Sequence, residues 1–143
     1  MLVLLQSECS GLVEGRKGYA AIKGLADSIH LQHDHLKLIG STPSQWPIGM
    51  TSDKFPKLET LIGMVDATLA LAGVVLANAE KAFKSAIELV AEMMLMQKLG
   101  ADVSVMQTEC MTAIDAIGMR LQELDLLVDL AGEHDLAITK VMK

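Results

Sequence analysis

The densest run of side chains able to do chemistry is His30-Leu31-Gln32-His33-Asp34-His35. An imidazole and a carboxylate one helical turn apart can share a divalent metal. His30 and Asp34 have that spacing, and His33 is the third candidate. On a helix, however, the three histidines diverge: His33 turns toward the apolar flank and His35 points elsewhere. A complete site needs ligands from another helix, with Glu80, Glu88 or Glu92 as donors. The run is therefore read as a surface pair of His30 with Asp34. No metal and no cofactor is assigned, and a metal-binding helical bundle stands as an alternative function.

The other chemical signals are weaker. Gly11-Leu-Val-Glu-Gly15-Arg-Lys-Gly18 is one residue short of a phosphate loop between its first glycines and lacks Ser or Thr after Lys17. His35 is not set for phosphotransfer, because Gly40 and Pro43 end its helix soon after. Cys9 and Cys110 fall on apolar helix positions, which implies buried free thiols in a reducing compartment. No nucleophile is paired with a base and no carboxylates converge, so the chain is read as non-enzymatic.

Composition sets the frame. Apolar residues make up 51% of the 143 residues and aromatics 3%. Such a core of Leu, Ile, Val, Ala and Met suits helices better than sheets. The length implies a single helical domain over 1–143. The formal charge of −6, with no basic stripe, argues against nucleic acid as a partner. Leu2 to Leu5 is too short for a signal-peptide core and has no basic lead, so a cytoplasmic location is expected. Ten methionines are many for this length; Met93, Met94, Met96, Met106, Met111 and Met119 are expected to fill gaps in the core.

Periodicity and breakers then place the elements. Helices are expected over about 2–13 and 16–39, with a break near Gly15, since each glycine costs about 1 kcal/mol inside a helix. Residues 40–53 form a loop, punctuated by Pro43 and Pro47. Its tryptophan, Trp46, either pins the loop over a helix end or offers a partner an anchor. Asp53 caps a long central helix over 54–99, with Pro56 in the first turn. Gly100 ends that helix. The next covers 103–131, opened by Asp102 or by a Ser104–Gln107 capping box and ended by Gly132. Glu133-His134-Asp135 is a solvated turn before a short helix over 135–142.

The central helix carries a heptad series: Ile62, Leu69, Leu76, Phe83 and Val90 alternate with Val65, Ala72, Ala79, Ala86 and Met93. Its back differs between halves. Lys81, Lys84, Glu88, Glu92 and Lys98 solvate the second half. The first half has Ala67, Leu71, Val74 and Val75 there, and Asp66 is the one charge between Thr60 and Ala79. Helix 103–131, folded back from Gly100, reaches only to about Leu71, so the first third of the central helix is left to helix 16–39, a single helix for a region apolar on more than one side.

These observations give an all-α chain: an elongated antiparallel helical bundle of three to four helices around one long central helix. The expected function is interaction, as an adaptor, chaperone-like protein or assembly subunit. The expected partner is a second copy or another helix. The candidate interface is Ile62, Val65, Leu69, Leu71, Val74, Val75 and Leu76, with Trp46. Insertion of residues 60–79 into a membrane is the alternative, since that length suffices for a span.

Overall fold

The structure, a computed structural model, describes residues 1–38 and 53–142. They form three helices: α1 (Leu2–Leu38), α2 (Phe55–Lys98) and α3 (Ser104–Met142). No strand occurs among the described residues. Trp46, Gly40, Pro43 and Pro47 of the expected loop lie outside them.

The ends of α2 follow from local chemistry. Its first bond runs from the Leu58 amide to the Lys54 carbonyl, 3.0 Å, one residue after the expected cap at Asp53. Pro56 is the second helical residue, where an amide would have no intrahelical acceptor. At the other end Gly100 takes φ = +83°, the left-handed conformation that suits glycine. The Gly100 amide donates to the Gln97 carbonyl and the Ala101 amide to the Met96 carbonyl, both 3.1 Å. This double closure is a Schellman motif. Asp102 then opens α3: its carboxylate accepts from the Ser104 amide, 3.1 Å, and from the Ser104 hydroxyl. The Ser104 hydroxyl is thus committed to Asp102 and not to a capping box with Gln107.

Two expected breaks are absent. α1 passes through Gly11, Gly15 and Gly18 without interruption. The reason is contact with α3. A β-carbon at Gly11 would lie 2.8 Å from Leu121, at Gly15 2.9 Å from Leu124, and at Gly18 2.9 Å from Val128. The glycines are where α1 approaches α3 closely, and packing there offsets their poor helix propensity. Likewise α3 passes through Gly132, so 103–131 and 135–142 are one helix. Its inner stripe simply continues: Leu124, Ala131, His134, Ile138 and Val141 are all buried. Glu133-His134-Asp135 is therefore helix, not a solvated turn.

The packing divides into two compact units, Met1–Lys17 with Gly73–Asp125, and Gly18–Ala72 with Leu126–Lys143. In the first, Leu5, Ala86, Val90, Met93, Val103, Cys110, Ile114 and Ile117 form the core. α2 and α3 run in opposite directions there: Met93 and Cys110 have sulfurs 4.0 Å apart, while Leu76 and Leu124 meet at Gly15. In the second, Ala26, Ile29 and Leu36 of α1 pack with Leu58, Ile62 and Val65 of α2 and with Ile138 and Val141 of α3. The last three turns of α3 therefore cover the start of α2. The first helix covers this region as expected, and the end of α3 removes the expected shortfall, which rested on a helix ending at Gly132.

Candidate interaction surface on α2

The inner face of α2 is the expected heptad series. Ile62, Val65, Ala72, Leu76, Ala79, Ala86, Val90 and Met93 are buried, and Leu69 and Phe83 partly so. Within the candidate interface this separates the residues into two groups. Ile62 and Val65 are core, Leu69 packs against that core, and Val75 and Leu76 are buried as well. These five are spent on the chain's own packing. Leu71 and Val74 are different, 53% and 58% exposed.

Leu71 and Val74 belong to a second series, the outward face on which the sequence places Ala67, Leu71 and Val74, and Met64 extends it. Thr60, Met64, Ala67, Leu71, Val74 and Asn78 are all exposed and follow steps of four and three. Such spacing holds one face of a helix, as the a and d positions of a coiled coil do. Beside them Gly63, Ala70 and Ala77 are exposed too. From Thr60 to Asn78 this outward face carries no charge, and Lys57 and Lys81 bound it. The alternation of Met64, Ala67, Leu71 and Val74 was visible in the sequence.

Asp66 borders the flank at Gly63 and Ala70 with its side chain 46% exposed, and it pairs with α1. His30 Nε2 donates to both its carboxylate oxygens, at 2.7 and 2.9 Å. The pairing of His30 with Asp34 expected from the sequence is replaced by this contact between helices. Arg16 Nε donates to Glu80, 2.7 Å, joining the same two helices in the other unit.

His33 is buried, as its place on the apolar flank implied. Its ring stacks on Phe55 with centroids 5.1 Å apart, and its Nε2 lies 3.6 Å from Glu59. Asp34 is 4.0 Å from His33 Nδ1, on the other side of the ring. No three metal-capable side chains converge among the described residues. The exposed His35 stands apart.

The cysteines divide. Cys110 is fully buried, and burial, helped by the neighbouring Glu109 charge, pushes its thiol above the usual range. A thiol so held is a poor nucleophile. Cys9 is exposed and free, against the expectation of a second buried thiol. The methionines also depart from expectation. Met93 is core, but Met94, Met96, Met111 and Met119 are exposed, as is Met64 on the outer face of α2.

Comparison of the chain with protein-family models, curated proteins and solved structures finds no match.

Proposed function

We propose that the chain is a non-enzymatic helical interaction protein. It meets another helix, either a second copy or a partner, along the exposed face of α2. The observation that supports this reading most is the uncharged strip from Thr60 to Asn78, with Met64, Leu71 and Val74 between 46% and 58% exposed. A solvated helix face ordinarily alternates charges, as α2 does beyond Lys81. An apolar stripe at coiled-coil spacing is the form a helix partner accepts. The proposal includes an elongated antiparallel arrangement with α2 at its centre, working as an adaptor, chaperone-like protein or assembly subunit in the cytoplasm.

The test is mass in solution by light scattering across a range of concentrations. Association that Leu71→Lys and Val74→Lys each abolish supports the reading. A strict monomer that tolerates both substitutions contradicts it.

A second reading has its own observation. α2 is long and apolar enough to cross a membrane, with a window of mean hydropathy 2.0 of which 33% is buried. Insertion would break the His30–Asp66 and Arg16–Glu80 pairs and strip Leu58, Ile62 and Val65 from their core. Flotation of the protein with liposomes tests it, and protein that stays in the aqueous fraction rejects it.

A further inference from the structure

We infer that the groove between the start of α2 and the end of α3 binds a small amphiphilic anion, an oxyanion head on a short alkyl chain. The inference goes beyond the interaction reading above and does not depend on it.

Helical spacing builds the site. Lys54, Lys57 and Leu61 follow steps of three and four, so they share one side at the start of α2. Ala137, Lys140 and Val141 do the same near the end of α3. Both sets belong to one compact unit. Its core holds them together: Leu58 and Ile62 of α2 pack with Ile138 and Val141 of α3, and Leu61 packs against that cluster. The six residues line one cavity of about 290 Å³, and among the described residues no carboxylate lines it. Val141 is buried and Leu61 and Ala137 are half-buried, whereas Lys57 and Lys140 are exposed. The cavity thus has an apolar floor and a cationic rim.

Charge selects the occupant. The chain carries −6 overall, yet three lysines gather here. Neither Lys57 nor Lys140 forms an ion pair among the described residues. Two of the lysines also stand at the end of a helix that disfavours cations. The Lys54 carbonyl accepts the first bond of α2, and the first turn holds no acidic residue. The peptide dipoles make that end positive, so an anion there is favoured. The nearest carboxylates along α2 are Asp53 before the lysines and Glu59 after them, and Glu59 lies 3.6 Å from His33 of α1. An ammonium group is a point charge with three donors and no fixed plane. Carboxylate and phosphate heads both suit such a rim.

Size and shape set the rest. A volume of about 290 Å³ lies at the small end of small-molecule sites, which suits one short alkyl chain. Exposed lysines hold a bare anion weakly, and burial of the chain on the apolar floor adds what charge alone does not supply. An anionic bilayer is a poorer occupant, because the net charge of −6 opposes its approach.

Titration of the isotope-labelled protein with sodium octanoate, followed by amide chemical shifts, tests the inference. Shifts should cluster at residues 54–61 and 137–141. Octanoate should bind roughly tenfold more tightly than acetate, which lacks the chain, or octanol, which lacks the charge. Lys57→Gln with Lys140→Gln should lose most of that margin over octanol. Ala137→Leu fills the floor, keeps every charge and should weaken octanoate as well. Equal helix content by circular dichroism shows that these variants fold. Octyl phosphate in a parallel titration tells which head the rim prefers, and site-localised binding of either supports the inference. Acetate or octanol binding as tightly as octanoate overturns it, as do shifts confined to residues 64–78 or unaltered binding in the variants. Binding of neither soluble probe, with or without binding to vesicles of anionic lipid, overturns it too.

Discussion

Glycine sets how near α1 comes to α3, and its three positions on the inner side of α1 are not equivalent. A β-carbon at Gly15 would meet Leu124 at 2.9 Å and Leu121 at 3.4 Å, and Leu124 is fully buried with no room to give. Gly15→Ala should therefore destabilise the fold by about 1–3 kcal/mol through overpacking. Gly132 is also mid-helix, but it is exposed and has nothing within 4 Å of its missing β-carbon. Gly132→Ala should stabilise by about 0.5–1 kcal/mol. Urea unfolding of the two variants checks the opposite signs. The sequence reading treated both glycines as breakers, because propensity is a local quantity while the close approach of Gly15 to α3 is tertiary. His30 shows the same gap: its partner, Asp66, is 36 residues away and no spacing rule pairs them. His33 was legible, because the side of α1 it occupies follows from periodicity alone.

At the scale of elements, most of the helical register could be read directly. The inner series of α2 and the Cys110–Ala131 stripe of α3 are the buried faces they were expected to be, since a period of 3.5 to 3.6 is a strong signal over many turns. Helix ends were less legible, because glycine stops a helix only where packing lets it. Gly100 does so with a left-handed turn, whereas Gly132 does not. Ile117 illustrates the worth of the inner stripe. It is fully buried in α3, so Ile117→Ala should cost about 2–5 kcal/mol, against less than about 0.5 kcal/mol for the exposed Met119→Ala; thermal unfolding of both separates them. The start of α3 should respond to pH. The hydrogen bonds from the Ser104 hydroxyl and amide hold the Asp102 carboxyl below its usual value. A carboxylate with a depressed pKa stabilises the folded state above its unfolded value, roughly 4, and that contribution is lost as pH falls through the folded value. The protection of the Ser104 to Gln107 amides, measured relative to their intrinsic exchange rates, should therefore fall below about pH 4, and in Asp102→Ala it should already be reduced at neutral pH.

At the scale of the whole molecule, the proposal of self-association rests on a different observation from the one that raised it. A shortage of cover over the start of α2 first suggested self-association, yet Ile138 and Val141 of α3 pack on Leu58 and Ile62 and supply that cover. What remains is the opposite side of α2, where Met64, Leu71 and Val74 face solvent on a strip without charge. The sequence could indicate that this half of α2 is apolar all round. It could not say which residues α1 and α3 would take, because that depended on α3 continuing through Gly132. The measurement that bears most directly on the central claim is light scattering of the natural sequence and of Leu71→Lys over rising concentration. The account predicts a mass that climbs toward the dimer for the natural sequence and stays at the monomer for Leu71→Lys, with equal helix content by circular dichroism. A natural chain that remains monomeric throughout, or a Leu71→Lys chain that associates as well as the natural one, would contradict it.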